Sequence, residues 1–346
     1  MSPVIPSNIV TFLVQAHVGF GARTMSTSSN TVFLCLAFAA FGLGVPASSA
    51  ARDLNGFSIV GASVPPEEIR PGGPPRDGIP ALDEPRFIVG QSGVDHYPPG
   101  TRALVVREGS EVKAYALPVL NWHEAVNDTV RNKAGERPIL VTYCPLCGTG
   151  IVFESKAGKS RLTFGVSGLV YQSDMLLYDR QTESLWSQLR REAIVGKQKG
   201  RRLSVIPSTL ELLGDVVRKH PQAKVLSTDT GHRREYSRNP YAGYEQSEAL
   251  TFPVNHEDDK APRKAWSLLL ETRNGSLIVP VDFLEPPKGE VELTVAGRKV
   301  TVVYDRNTRQ INCARPVEGV VCFPGYYFAL RTFYPQAKVH DPRKKE

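Results

Sequence analysis

The chain has 346 residues, of which 41% are apolar and 22% are charged, and this balance is typical of a globular protein and excludes a fibrous or disordered chain. Its formal net charge is +7 at pH 7, but the basic residues are scattered among acidic ones except at residues 343–345. A nucleic-acid-binding surface would need clustered Lys and Arg interleaved with stacking aromatic residues. The composition therefore predicts no nucleic-acid partner.

The N-terminal part of the chain has the pattern of an export signal. Residues 31–50 carry no charged side chain and end on small residues after Pro46, as an apolar signal core and its cleavage site do. The uninterrupted apolar core has about 14 residues, fewer than the roughly 20 that a helix needs to cross a bilayer. We therefore predict a signal peptide over residues 1–50, no membrane span after cleavage, and a mature protein in the periplasm or the extracellular medium. A retained membrane anchor is the alternative.

Residues 51–100 are rich in proline and glycine, which predicts an irregular segment wrapped over the surface. From residue 102 onward, short β-branched runs alternate with turns and predict strands; these cover residues 103–107, 112–116, 139–143, 151–154, 161–166 and 175–178. Two helices are predicted, over residues 120–128 and, after the candidate N-cap Ser208, over residues 209–219. The expected fold class is mainly β with a few short helices.

Several short motifs occur twice in the same order. YDRQT at residues 178–182 returns as YDRNT at 304–308, HPQAKV at 220–225 returns as YPQAKV at 334–339, and ALVVR at 103–107 returns loosely as SLLLE at 267–271. A duplication produces such a pattern. We predict two related β-rich halves, residues 101–230 with the Cys-x-x-Cys motif and residues 231–346 as a degenerate repeat without it. Chance similarity of short strand–turn segments is the alternative.

Longer motifs lie in the first half and just before it. They are GPPRDGIPAL at residues 73–82, ALPVLNWHEAVND at 116–128, TYCPLCG at 142–148, FGVSG at 164–168 and SDMLLYDRQT at 173–182. In this order they resemble the bacterial and archaeal family catalogued as domain of unknown function 3179. In the second half, AWSL at 265–268 and YYFAL at 326–330 only approximate the corresponding family segments. The resemblance covers most of the mature chain and implies no particular activity.

Signal cleavage would remove Cys35 and leave four cysteines, an even number. In an oxidising compartment such a set indicates disulfides, whereas in the cytosol it would indicate zinc. Cys313 and Cys322 bracket the turn-forming residues 316–319 between short extended runs. We therefore predict that they face each other across a hairpin and form a disulfide.

The Cys144-Pro145-Leu146-Cys147 motif is the strongest chemical signal in the sequence. Two thiolates across a tight turn can chelate one soft or borderline metal ion, and a following glycine gives the backbone the freedom that such a turn needs. A closed zinc site would need two further ligands, whereas Cu(I) is satisfied by fewer thiolates plus a Met or His. We predict that Cys144 and Cys147 bind a metal ion, copper ahead of zinc, with Met175 and His123 as the nearby candidate ligands. A metal ion or another small molecule is thus the expected partner.

Three other interpretations stay open. Redox Cys-x-x-Cys pairs of the thioredoxin type lie at a helix N-terminus, whose dipole lowers the pKa of the attacking thiol, but Gly-Thr-Gly follows Cys147 and predicts a turn and a strand. The motif is also compatible with a structural disulfide in a non-catalytic binding module. A hydrolase-like domain with a carboxylate pair is the third interpretation. For Asp174, Asp179 and Arg180, however, the expected role is an ion pair that fixes residues 164–174.

Overall fold

A computed structural model describes residues 53–343. Of these residues, 43% lie in strands and 12% in helices, and the described part of the chain has five short α-helices. The larger sheets form a propeller-like ring of five blades. The expected fold class is thereby confirmed. The predicted signal peptide lies outside the described residues.

The elements of the N-terminal part follow in chain order: β1 (Asp53–Leu54), β2 (Phe57–Ser58), β3 (Ile69–Pro71), β4 (Leu82–Asp83), β5 (Phe87–Val89), α1 (Gln91–Val94), β6 (Arg102–Glu108), β7 (Glu111–Ala116), α2 (Leu117–His123), β8 (Ala125–Asn132), β9 (Gly135–Cys144), β10 (Thr149–Glu154), β11 (Lys156–Ala157), β12 (Ser160–Arg161), β13 (Phe164–Tyr171), β14 (Asp174–Asp179), β15 (Leu185–Ser187), β16 (Glu192–Val195), β17 (Val205–Ile206), β18 (Ser208–Leu212), α3 (Leu213–Lys219) and β19 (Lys224–Leu226). The C-terminal part continues with α4 (Ala242–Gln246), β20 (Trp266–Thr272), β21 (Gly275–Pro280), β22 (Lys288–Val295), β23 (Arg298–Asp305), β24 (Gln310–Cys313), β25 (Val321–Tyr326), α5 (Tyr327–Phe333) and β26 (Lys338–Val339). Short 3₁₀ turns occupy Pro66–Glu68 and Val281–Phe283.

Five sheets have three or more strands. Their orders are β18-β6-β7-β19-β5, β17-β10-β9-β8-β4, β16-β15-β14-β13-β3, β25-β20-β21-β26 and β22-β23-β24. Neighbouring strands are antiparallel except where β19 lies beside β7, β26 beside β21 and β4 beside β8. Many consecutive strands, such as β8 and β9, β9 and β10, and β13 and β14, are joined as hairpins, which explains why the sequence shows short strands separated by turn residues.

The segment before residue 100 is more regular than the sequence predicts. Its short strands form edges of three sheets, because β3 pairs with β13, β4 with β8, and β5 with β19. Proline and glycine predicted irregular structure, but short edge strands tolerate both residues. The segment is thus an integral part of three blades.

Both predicted helices are wrong over part of their length. The helix predicted for residues 120–128 ends at His123, because Glu124 takes the left-handed conformation with φ of 57° and Ala125 starts β8. In the second case residues 208–212 form β18 and pair with β6, so that the helix begins only at Leu213 and Ser208 is not its N-cap. In both places pairing with a long neighbouring strand overrides a helical pattern in the sequence.

Strand β13 begins at Phe164 and extends to Tyr171, so the strand predicted for residues 161–166 is displaced. A bulge between Val166 and Leu169 contains Gly168, whose φ is +70°. A Cβ at that position would overlap the carbonyl oxygen of Pro74, so the N-terminal segment can lie against β13 only because residue 168 is glycine. Residues 164–174 are therefore the first strand of the β13–β14 hairpin, its turn and the first residue of the second strand.

Two sheets share one strand order. In the first, a hairpin (β6, β7) is extended by β18 beside β6 and by β19 parallel to β7; in the other, a hairpin (β20, β21) is extended by β25 beside β20 and by β26 parallel to β21. In each sheet a helix, α3 or α5, connects the two added strands. The HPQAKV and YPQAKV motifs lie at corresponding places, around β19 and β26. A duplication would produce this order, and the division into two related halves stays a prediction.

Candidate metal centre

The two cysteines lie at the turn between β9 and β10. Cys144 is the last residue of β9 and pairs with Thr149, the first residue of β10. The Cys147 N–H donates to the Cys144 carbonyl at 3.2 Å, which closes the turn. The turn thus brings both side chains to one end of the hairpin, and a strand rather than a helix follows it, as the sequence predicts.

Strands of the second half close over this turn. Gly148 has φ of +65°, and a Cβ there would lie 2.7 Å from the Trp266 ring and 3.2 Å from the Tyr326 ring. The Tyr326 N–H donates to the Cys147 carbonyl at 2.7 Å. Glycine is therefore required at residue 148 both by the backbone and by the two aromatic rings packed against it.

Asp174 joins the cysteines from the start of β14. Ligand atoms of Cys144, Cys147 and Asp174 all lie within 4.8 Å of one another, and all three residues are buried; we refer to them as the Cys–Cys–Asp group. One carboxylate oxygen of Asp174, Oδ2, accepts hydrogen bonds from Ser187 Oγ at 2.9 Å and Leu189 N–H at 3.0 Å. Its other oxygen, Oδ1, is buried and has no hydrogen-bond partner. A buried acceptor without a donor needs another partner, and a cation coordinated by Oδ1 would supply it.

Burial disfavours negative charge throughout this site. It raises the pKa of the Cys147 thiol well above its usual range, and the neighbouring Cys144, Asp174 and Glu124 act in the same direction. Burial also raises the pKa of Asp174 to about 7 against the hydrogen bonds from Leu189 and Ser187. The pKa of Glu124 is likewise raised by burial to about 7, although Tyr241 Oη donates to its carboxylate at 3.0 Å. Several acids therefore meet in a dry site, and a bound cation would stabilise their ionised forms.

The segment that connects β19 to β20 covers the turn. Tyr244 in α4 donates through its hydroxyl to the Leu146 carbonyl at 2.9 Å. Lys264 Nζ donates to the carbonyls of Tyr244 and Ser247, each at 2.6 Å, and so fixes the end of α4. The Cys–Cys–Asp group is consequently enclosed by protein on this side.

The predicted ligand His123 does not belong to this group. Its Nδ1 lies 2.7 Å from the Pro80 carbonyl and its Nε2 lies 2.7 Å from the Tyr236 hydroxyl, so both ring nitrogens are engaged elsewhere. Since a carbonyl only accepts, Nδ1 carries the proton and Nε2 accepts from Tyr236. Burial lowers the pKa of His123 to about 4, which keeps the ring neutral.

Met175 follows Asp174 on β14 and is buried in the same apolar cluster as the two cysteines. Its role as a ligand stays a prediction. The residue that sequence reasoning missed is Asp174, for which an ion pair was expected. Instead, Arg180 pairs with Asp83 at 2.8 Å, and Asp179 accepts from Thr182 and Trp186. The available signal was an aspartate at the start of an otherwise apolar strand, MLLY at residues 175–178.

Cys313 and Cys322 form a disulfide, with their Cα atoms 6.5 Å apart. The hairpin expected between them is wrong, because β24 belongs to the sheet with β22 and β23, whereas β25 belongs to the sheet with β20 and β21. The disulfide therefore connects two blades of the ring. It involves neither cysteine of the candidate metal centre, since Cys144 and Cys147 are both free thiols.

The fold and the site together define a mainly β protein, built as a five-bladed ring, with a buried Cys–Cys–Asp group at one hairpin turn. The family described as "Protein of unknown function (DUF3179)" matches residues 76–336, and the chain belongs to this family. Comparison with curated proteins and with solved structures gave no match. Within residues 53–343, no helix has the length and apolar character that crossing a membrane requires.

Proposed function

We propose that this protein binds a single metal ion through Cys144, Cys147 and Asp174, and that the ion is Zn(II). One observation carries the proposal: two sulfurs and a carboxylate oxygen lie within 4.8 Å of one another in the interior, and Asp174 Oδ1 has no hydrogen-bond partner there. Ligand atoms around tetrahedral zinc are about 3.3–3.8 Å apart, given bonds of about 2.0–2.3 Å. A small contraction of the group would therefore complete three coordination positions.

The carboxylate favours zinc over copper. The sequence alone ranks Cu(I) first because two thiolates with a Met or His satisfy it, but His123 is engaged elsewhere. Carboxylate oxygen is an ordinary ligand of Zn(II) and a poor one for the soft Cu(I) ion. Copper bound by Cys144, Cys147 and Met175 is the alternative that the experiment below distinguishes.

Thiol–disulfide exchange is less well supported. The attacking form in exchange is the thiolate, and burial raises the pKa of Cys147 so that the thiol form dominates at neutral pH. A strand follows the motif, so no helix dipole acts on either sulfur. The same features suit a metal ligand, because the cation itself displaces the proton on binding.

Metal titration of the mature protein in reducing buffer tests the proposal. After metal removal, Zn(II) and Cu(I) would each be titrated against a chromophoric chelator, and we expect one Zn(II) per chain. C144S and C147S should each lose stoichiometric binding, and D174N should weaken Zn(II) binding more than Cu(I) binding. D179N, which changes a buried aspartate at the other end of β14, and H123N are the matched controls and should retain the ion.

The outcomes separate the alternatives. If M175L weakens Cu(I) binding and D174N leaves Zn(II) binding unchanged, the site is a copper site. A reduced protein that binds neither ion but catalyses reduction of a test disulfide would establish exchange and refute the metal proposal. A protein that binds neither ion and forms a Cys144–Cys147 disulfide on air exposure would establish the structural role.

We also propose that the protein is exported to the periplasm or the extracellular medium. The apolar segment at residues 31–50 supports this, and so does the disulfide between Cys313 and Cys322, because such bonds persist in oxidising compartments. In that environment, burial and a bound metal ion would both protect Cys144 and Cys147 from oxidation.

A further inference from the structure

A large cleft lies outside the candidate metal centre. Its volume is about 1280 Å³, and it is bounded by the chain around β16 and β17, by the β20–β21 turn and by the loop between β24 and β25. We refer to it as the arginine cleft, because Arg191, Arg202, Arg273 and Arg298 all line it. Ligand sites commonly have volumes of about 300–1,000 Å³, so this cleft has room for an organic molecule.

The cleft has an excess of positive charge. Two acidic residues, Glu271 and Glu318, line it beside the four arginines. One cation is already neutralised, since Arg191 Nη2 lies 2.5 Å from Glu271 Oε2. Among the described residues, Arg202, Arg273 and Arg298 form no ion pair, and all three are exposed. Arg202 Nη2 donates to the Arg190 carbonyl at 3.2 Å instead. Three guanidinium groups without an ion-pair partner therefore line one opening.

Arg191 differs from the other three arginines. Its side chain is only 9% exposed, and Glu271 neutralises its charge. The exposed guanidinium groups of Arg202, Arg273 and Arg298 are therefore the ones that a ligand in the cleft can reach. Carboxylate and phosphate oxygens are the acceptors that a guanidinium group binds best.

The walls between these charges are partly apolar. Val205, Val317, Val320 and Val321 line the cleft together with Pro207 and Pro316. The loop that carries Pro316 to Val321 is fixed at both ends, by the Cys313–Cys322 disulfide and by the strands β24 and β25. A wall fixed in advance reduces the conformational entropy lost on binding.

We propose that the arginine cleft binds a small organic polyanion in which two or more carboxylate or phosphate groups flank an apolar body. The anionic groups lie against Arg273 and Arg298, and the apolar body lies against the valine wall. This site goes beyond the proposed metal binding and shares no residue with the Cys–Cys–Asp group.

Calorimetric titration with matched probes tests the site. The probes are adipate, the bisphosphate of 1,6-hexanediol, and uncharged 1,6-hexanediol, added to the mature protein at low ionic strength. We expect at least one dianion to bind with a Kd below about 1 mM and the diol not to bind. Binding of adipate alone would identify a carboxylate site, and binding of the bisphosphate alone a phosphate site.

Variants place the binding in the cleft. R273Q/R298Q should weaken the dianion about tenfold or more, whereas K133Q/K159Q, which removes two exposed cations outside the cleft, should change it less than about twofold. E318Q removes a negative charge from the cleft and should tighten binding. C144S should leave dianion binding intact, so failure of the metal proposal and failure of this one remain distinguishable.

Three results would each overturn the proposal. The first is that neither dianion binds, and the second is that the uncharged diol binds as tightly as the dianions. The third is an equal loss of affinity in R273Q/R298Q and in K133Q/K159Q, because this would show that dianion binding depends only on the net charge of the protein. Circular dichroism of each variant establishes that it is folded, which is expected for the two double variants because all four of their substituted positions are exposed.

Discussion

At the scale of single residues, a comparison of two glycines distinguishes the cost of backbone strain from the cost of a packing clash. Gly148 has φ of +65° and Gly158 has φ of +64°, but a Cβ would meet the Trp266 ring only at Gly148 and would meet nothing within 4 Å at Gly158. A left-handed conformation costs a non-glycine residue about 1–2 kcal/mol. If a substitution at Gly148 lowers the free energy of unfolding by more than this amount, the excess reports how tightly Trp266 and Tyr326 of the second half pack against the Cys-x-x-Cys turn.

We expect G158A to lower the free energy of unfolding by about 1 kcal/mol and G148A to lower it by about 1–3 kcal/mol more, because overpacking adds to the strain. Urea unfolding of both variants measures the difference. G148A should also weaken metal binding, whereas G158A should not. Equal destabilisation by the two substitutions would mean that the aromatic rings adjust freely.

His123 predicts a pH dependence of stability. Its pKa is about 4 in the folded protein and about 6.5 in an unfolded chain, so the unfolded state binds more protons between these values and stability falls as the pH is lowered from about 6.5 to about 4. The full effect is on the order of 3 kcal/mol. Protonation would leave the Tyr236 hydroxyl without its acceptor, while His232 and Arg234 already disfavour charge on the ring.

Unfolding of H123N measured from pH 8 to pH 4 should show a smaller loss of stability in acid than the parent protein, although the variant starts from a lower value because the Tyr236 hydrogen bond is lost. H96N, at an exposed position, serves as the control and should follow the parent curve. Parallel curves for H123N and the parent would contradict the assignment of a buried neutral ring.

At the scale of elements, the Cys313–Cys322 disulfide joins β24 of one sheet to β25 of another. A bridge over a sequence separation of nine residues restricts the unfolded chain, and chain entropy gives about 2–3 kcal/mol for this loop length. C313A/C322A should therefore be less stable by about this amount in urea unfolding, and it should keep metal binding. Reductant should lower the stability of the parent protein toward that of the variant and should leave the variant unchanged. Equal stability of the oxidised parent protein and the variant would refute a stabilising role of the disulfide.

The elements differ in how well the sequence predicts them, and the difference depends on whether their signal is local. Strands predicted at residues 103–107, 112–116 and 139–143 lie within β6, β7 and β9, because short apolar and β-branched runs bounded by turn residues are a local signal. The break at Glu124 and the strand β18 have no such signal. Each depends on a neighbouring long strand, β9 or β6, that supplies backbone hydrogen bonds the helix would otherwise make.

At the scale of the whole molecule, the sequence predicts that the chain is processed. The apolar core near residue 40 is too short to span a bilayer, so signal cleavage should leave a mature N-terminus near residue 51. Intact-mass analysis of protein from its native compartment should find Cys35 absent. A mass that includes Cys35 would indicate a retained anchor and would remove the argument for export.

The candidate site is only partly predictable from the sequence. The Cys-x-x-Cys turn is encoded locally, since Cys144 and Cys147 are three residues apart and Gly148 follows. The third member, Asp174, lies far along the chain and reaches the sulfurs only because the β13–β14 hairpin is placed beside the β9–β10 turn. His123 lies nearer in sequence, yet the left-handed Glu124 and the contacts with Pro80 and Tyr236 take it away from the group.

The sequence by itself determined the mainly β class, the family resemblance, the disulfide partners and the turn that carries the two cysteines, because each depends on residues close together in the chain or on a characteristic motif. Only the tertiary structure decided which carboxylate meets the sulfurs, which blades the disulfide connects and where four arginines from distant segments line one cleft. The physical reason is the distance along the chain over which each interaction acts. Turn and strand preferences act over a few residues, whereas ligand sets and charged clefts form from side chains that only long-range strand pairing and burial bring together.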